Sequence, residues 1–213
     1  MNKDERLDLY LKLLQPSLPD WLSEIENSAL KEKVPIIRKS VQHFFRWFLR
    51  VHKPKKILEL GAGVGFSALF FAEYSDKDTK IFTVENSNQR IKEAKINIKN
   101  SPYEEKVNLI EGDALIKIQE FNEYFDMIFL DSSKGHYISI LPDIKKRMKS
   151  GNVLIADNIL QDMTVIESTF SIKRRNRTIH KRMREFLEVI SKDNDFVTST
   201  VPLGDGIILA VKK

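Results

Sequence analysis

Apolar positions recur along this chain in short blocks, and their spacing changes from helical to strand-like near residue 54. Before that point, LDLYLKLL (7–14) and VPIIRKSVQHFFRWFLRV (34–51) place apolar side chains one helical turn apart with charges between them. Pro16, Pro19 and Pro35 cut this region into short helices, and Lys53-Pro54 closes it. Beyond it, the segments 55–60, 80–85, 107–113, 125–131 and 152–158 are apolar nearly throughout and predict buried strands. SALFFAEY and residues 88–99 predict helices, and a long basic helix over about 177–191 precedes two last strands, FVTSTVP and GIILAVKK. Such strands separated by amphipathic helices predict a mostly parallel sheet covered on both faces. The turn Leu203-Gly204-Asp205-Gly206 is too short for a parallel crossover, so the last two of the seven strands are expected to pair antiparallel. The expected organisation is an N-terminal helical extension over residues 1–53, packed on one α/β unit over 54–213.

Composition adds little until charge is located. With 213 residues the chain suits one sizeable α/β domain. The absence of cysteine excludes disulfides and thiolate chemistry and fits a reducing cytoplasm. Neither a signal-peptide core nor an apolar run near the ~20 residues of a membrane span is present, so a cytoplasmic protein without membrane contact is expected. Net charge is +5, but eleven Lys and Arg against three acids fall between Lys145 and Arg184, a local +8 over a chain otherwise at −3. That one-sided segment suits an anionic partner.

The run Glu59-Leu60-Gly61-Ala62-Gly63-Val64-Gly65-Phe66-Ser67 follows the first core strand and opens a helix. Glycines at 61, 63 and 65 let the backbone turn tightly and approach a ligand closely. A pyrophosphate-binding loop spaces its glycines GxGxxG. Here the third glycine arrives one residue early and Phe66 stands where the last would be, which favours a cofactor without a pyrophosphate. Glu85 ends the second strand, where an acid accepts hydrogen bonds from ribose hydroxyls. Asp113 ends the third and is placed to reach an adenine amino group. A glycine turn with helix-capping acids explains each feature singly but not the three in order. The pattern resembles the class I S-adenosylmethionine-dependent methyltransferases over roughly residues 55–213. The resemblance implies a Rossmann-like fold, with Glu59, Gly61, Gly63, Gly65, Ser67, Glu85, Asp113 and Asp131 around S-adenosylmethionine.

Two further strand ends carry oxygen ligands: Asp131 in FLDSSKGHY, and Asp157-Asn158 in LIADN. Ligands of open α/β sheets sit outside the carboxyl ends of the strands. These three side chains should therefore meet the cofactor edge, where two carboxylates and an amide oxygen suit a hard divalent ion such as Mg²⁺. An isolated Asp-Asn is otherwise a turn former. Together with VPIIRK, ILELGAGVGFSAL, GDAL and PLGDGI, these motifs resemble the metal-dependent O-methyltransferases of the catechol and caffeoyl-CoA type. The chain is most similar to the bacterial branch that methylates 5-hydroxyuridine at the tRNA wobble position. The resemblance implies Asp131, Asp157 and Asn158 as metal ligands and Lys134 as general base, with Asp131 beside it in the catalytic group. Ser132-Ser133-Lys134-Gly135-His136 replaces a common Ala-Ala-Lys-Gly-Gln, and Gly61-Ala62 a common Gly-Thr; neither change removes a ligand.

A metal chelates two neighbouring oxygens, which a catechol and a 5-hydroxyuracil both offer. The basic segment decides between them at this level: Lys173, Arg174, Arg175 and Arg177, with Arg38, would neutralise phosphates of a tRNA anticodon loop. A small catechol-like or CoA-linked phenol is the alternative acceptor, and a solvated helix face the plainer reading of the charge run. Phe44, Phe45, Trp47 and Phe48 give the N-terminal helices more than one apolar face, so part is expected to be core and part a homodimer surface.

Overall fold

The computed structural model describes residues 13–213 together with Arg6 and Tyr10, so most of the helix expected over 7–14 lies outside the described residues. Two helices, α1 (Asp20–Lys31) and α2 (Lys39–His52), lead into β1 (Lys56–Leu60). Alternation follows: α3 (Phe66–Tyr74), β2 (Lys80–Glu85), α4 (Asn88–Lys99), β3 (Val107–Glu111), α5 (Ala114–Glu120), β4 (Met127–Leu130), α6 (Tyr137–Lys146) and β5 (Val153–Ala156). Helix α7 (Arg177–Lys192) and strands β6 (Phe196–Val201) and β7 (Ile207–Lys212) end the chain. The seven strands form one sheet in the order β3-β2-β1-β4-β5-β7-β6. β1 to β5 are parallel, while β7 is antiparallel to both β5 and β6. The fold is thus a Rossmann-like, mostly parallel seven-stranded sheet with an antiparallel C-terminal hairpin.

Strict alternation along the central strands fills two apolar layers. Ile57, Met127, Phe129 and Ile155 point toward α1, α2 and α3. Leu58, Leu60, Ile128, Leu130 and Leu154 point toward α6 and α7. Helix α3 is buried from Phe66 through Ala72, which explains its unbroken apolar sequence. The N-terminal helices belong to the first layer: Phe45, Phe71 and Phe129 meet edge to face with centroids 4.8, 5.2 and 5.3 Å apart, joining α2, α3 and β4. Buried Glu26 accepts from Gln42 Nε2 at 2.8 Å and from Lys39 Nζ, tying α1 to α2.

Strands β3, β4 and β5 stop short of the expected ends. Residues 112–113, 131 and 157–158 leave the sheet, and Gly112 (φ 142°) and Asn158 (φ 55°) depart from extended backbone. Those turns carry the polar groups. Helices α5 and α6 had no assignment of their own from the pattern; α5 spans only seven residues and α6 contains Pro142. Among the described residues no helix is long and apolar enough to cross a membrane.

Phe45→Ala should remove one edge of the aromatic triad and leave a cavity against the sheet. It is expected to lower the unfolding free energy by about 3–5 kcal/mol in urea denaturation. Wild-type stability would mean that α2 is not part of the cooperative core.

Candidate active site

Strands β1, β2 and β3 run outward on one side of the sheet centre, and β4 and β5 on the other. The crevice that opens between β1 and β4 is where open α/β sheets bind ligands. A cavity of about 660 Å³ lies there. Its wall includes Gly61, Gly63, Ser67, Glu85, Asp113, Asp131, Lys134 and Asn158, all named from the sequence, together with Arg38.

Gly61 (φ 110°) is where the loop crosses the end of β4, and a Cβ there would lie 2.3 Å from the carbonyl oxygen of Asp131. Only glycine permits that approach. The loop is pinned from β2, because Glu85 Oε2 accepts from the Gly63 N–H at 2.8 Å while Oε1 accepts from Asn86 and Ser87. Asp113 caps α5, accepting from the Leu115 N–H at 2.8 Å, and still borders the cavity. Capping and ligand binding are therefore compatible at this position.

Glu59 and Gly65 lie outside the cavity wall. Glu59 is fully buried beneath the loop, where Thr83 Oγ1 donates to Oε2 and Oε1 has no partner among the described residues. Burial pushes its carboxyl up to about 7, against the opposing effect of the Ser67 and Thr83 hydroxyls. Gly65 (φ 82°) packs against α4 with Ala94 Cβ 3.5 Å from where its own Cβ would be.

Asp131, Lys134 and Asn158 reach the cavity together, with Asp157 buried just behind Asn158. The Asn158 N–H donates to Asp157 Oδ1 at 2.6 Å, which the left-handed turn at Asn158 allows. Burial, then repulsion from Asp157 and Glu59, pushes the Asp131 carboxyl well above the usual range, with Lys134 opposing. Asp157 is pushed up to about 6 by burial, with Asp205 adding to the rise and the Asn158 N–H, Lys134 and Arg38 opposing it. Among the described residues no three His, Cys, Asp or Glu side chains group as a metal centre. The donor set here is two carboxylates and an amide. Tyr137, buried beneath, donates to the carbonyls of Leu130 and Asp157 at 3.1 and 3.4 Å and so fixes both strand ends.

The basic segment is not part of this wall. Lys173, Arg174 and Arg175 are exposed on a short 3₁₀ turn away from the cavity. Arg177 donates to the carbonyls of Ile172 and Phe170 at 2.9 and 3.1 Å, and Arg184 to that of Glu167 at 3.1 Å. Arg182 donates to Gly135 O at 3.0 Å and braces the turn that carries Lys134. Arg177 and Arg184 therefore secure the loop between β5 and α7. Sequence reasoning missed Asp162 and Asp205 in the wall, as well as Leu30 and residues 34–37, whereas His136, next to the Lys134 motif, is in it. Asp205 lies in PLGDGI, which drew notice only as a family resemblance, Asp162 counted only as one of the few acids of the basic segment, and the N-terminal residues carry no chemical signature.

Glu59 gives a stability test. Its folded value of about 7 exceeds the ordinary 4.5, so between those values the folded chain holds a proton that the unfolded chain has lost. The favourable contribution is complete below 4.5 and lost as pH rises through 7. Glu59→Gln is expected to gain roughly 2–3 kcal/mol on wild type between pH 4.5 and pH 8 in urea denaturation. Parallel pH dependence of the two proteins would show that Glu59 ionises freely.

Known proteins resemble this chain over most of its length. A catechol O-methyltransferase of Niastella koreensis is 27% identical over 169 residues, covering 76% of each chain. Caffeoyl-CoA O-methyltransferase 2 of Populus trichocarpa is 24% identical over 214 residues, covering 94% of this chain and 87% of its own. In fold, an O-methyltransferase of Bacillus cereus solved with S-adenosylhomocysteine superposes with a TM-score of 0.85 at 22% identity, over 98% of this chain and 97% of that one. A family model described as O-methyltransferase matches residues 16–213. With nearly its whole length matched, and with a glycine loop and polar strand ends around one cavity, the chain belongs to the O-methyltransferase family.

Proposed function

We propose that this protein transfers the methyl group of S-adenosylmethionine to a hydroxyl of a small catechol-like or CoA-linked phenol, assisted by a divalent cation. The observation that carries the reading is the single cavity, which joins the glycine loop, Glu85 and Asp113 to Asp131, Lys134 and Asn158. The catechol and caffeoyl-CoA names of the relatives support the acceptor class. The tRNA anticodon loop expected from the basic run is thereby the less supported acceptor.

The residues fit a divalent ion. Two buried carboxylates with raised proton affinity, Asp131 in the wall and Asp157 just behind it, lie near a neutral amide, a set that gains from a +2 charge. Asp131, Asp157 and Asn158 would hold it, and it would lower the pKa of a chelated hydroxyl. Glu85 and Asp113 hold the ribose and adenine of the donor, and the side-chain-free loop lets its methionine part approach the backbone. The acceptor oxygen attacks the methyl carbon in line and the sulfonium sulfur leaves as the thioether of S-adenosylhomocysteine. Lys134, when neutral, takes the hydroxyl proton and later releases it to water.

The test supplies methyl-labelled S-adenosylmethionine and Mg²⁺ with catechol, caffeoyl-CoA, or tRNA bearing 5-hydroxyuridine. Label is expected in a phenol, with a fall of roughly 100-fold or more under EDTA or in Asp157→Ala. Label in the tRNA alone would move the acceptor to nucleic acid. Undiminished transfer in EDTA would sink the metal.

A further inference from the structure

One ion pair at the rim of the cavity has no part in the reaction above. Arg38 Nη2 lies 3.2 Å from Asp162 Oδ1, with the two side chains 53% and 84% exposed. Arg38 directly precedes α2, and Asp162 stands four residues beyond Asn158; both line the cavity that holds Lys134 and Asn158. The contact is a single N···O approach in water, so it contributes little to stability and exchanges readily.

The backbone that presents it is, by contrast, expensively built. Gln161, Asp162 and Met163 have φ of 51°, 51° and 64°, three consecutive non-glycine residues in the left-handed region. L residues adopt that conformation at a cost, and it persists only where the surroundings enforce it. Buried Asp205 enforces it: its Oδ1 accepts from the Asp162 N–H at 2.6 Å, and its carbonyl accepts from the Leu160 N–H at 2.9 Å. On the opposite side, Arg38 lies along Gly204. A Cβ there would fall 2.8 Å from Val41 Cγ2, too close, and 3.5 Å from Arg38 Cδ, so the arginine stem packs directly on the glycine backbone. Three distant segments, 35–41, 159–163 and 203–206, thus converge to aim one guanidinium at the rim and to set one carboxylate upon it.

A strained turn that delivers a carboxylate into a weak pair is suited to exchange rather than to stability. We infer that Arg38 selects acceptors carrying an anionic group remote from the reacting hydroxyl, and that Asp162 is its resident counterion, displaced when such an acceptor binds. This rests on the phenol reading above. A neutral acceptor leaves the pair intact and gains nothing from the arginine. An anionic one replaces Asp162 and gains a charge-assisted hydrogen bond, while Asp162 swings into water. The ligand chemistry is a carboxylate on the acceptor ring or a phosphate of a thioester carrier, and the assay separates them.

The ratio of kcat/KM for 3,4-dihydroxybenzoate over catechol, and for caffeoyl-CoA over catechol, is measured with Mg²⁺ in wild type, Arg38→Gln, Arg38→Lys and Asp162→Asn. Arg38→Gln is expected to lower one ratio roughly tenfold, through KM rather than kcat. Arg38→Lys should restore part of it, and Asp162→Asn should raise it severalfold by removing the competitor. Loss in the first ratio identifies a carboxylate, and loss in the second a phosphate. Ratios equal within twofold in all four proteins overturn the inference while leaving the phenol reading in place. If no phenol is methylated, that reading has failed, and calorimetric titration of 3,4-dihydroxybenzoate into the Mg²⁺ and S-adenosylhomocysteine complex decides the inference separately. Binding weakened by Arg38→Gln and tightened by Asp162→Asn supports it; binding absent in wild type, or alike in all variants, overturns it.

Discussion

The approach of Gly61 to the main chain of Asp131 is the constraint on which the site depends. Parallel pairing of β1 with β4 sets Leu60 beside Leu130, so the residues that follow them leave the sheet together. Their backbones can then nest only if one has no side chain, since a Cβ at 61 would lie 2.3 Å from the Asp131 carbonyl oxygen. From this nesting the glycine loop and Asp131 share one wall. Glu85 extends the same arrangement to β2 by holding the Gly63 N–H.

Buried charge is the second theme. Glu59, Asp131 and Asp157 lie on neighbouring strands, and burial raises the proton affinity of all three. Glu59 retains a hydroxyl partner and no cavity exposure, so its role is to support the loop from below. Asp131 instead lines the cavity with Asp157 buried just behind its wall, where a cation and a substrate oxygen could relieve their repulsion. The same element type, an acid at a strand end, thus serves as a strut in one place and as a candidate ligand in another. Depth relative to the cavity separates the two.

The N-terminal helices do more than cover the sheet. Phe45 anchors α2 to Phe71 and Phe129, and Val34 to Arg38, just before α2, line the cavity. From the far end of the chain Asp205, between β6 and β7, joins the same wall. Segments outside the parallel core therefore complete the cavity wall.

The sequence by itself determined the alternating elements, the antiparallel hairpin and the donor loop. These follow from local rules: side-chain periodicity, turn length, and glycine where backbone must approach a ligand. It also marked Glu85, Asp113, Asp131, Lys134 and Asn158, because in a parallel sheet every strand end faces the same edge. It placed Glu59 beside the cofactor, although its position on β1 turns the side chain beneath the loop. It gave Arg177 to a nucleic-acid surface, although the main-chain carbonyls of residues 170 and 172 occupy its guanidinium. Nor could it pair Arg38 with Asp162, 124 residues away. Such contacts depend on how distant segments pack, and only the tertiary structure decided which charges face the cavity, which brace the chain and which remain free to meet a ligand.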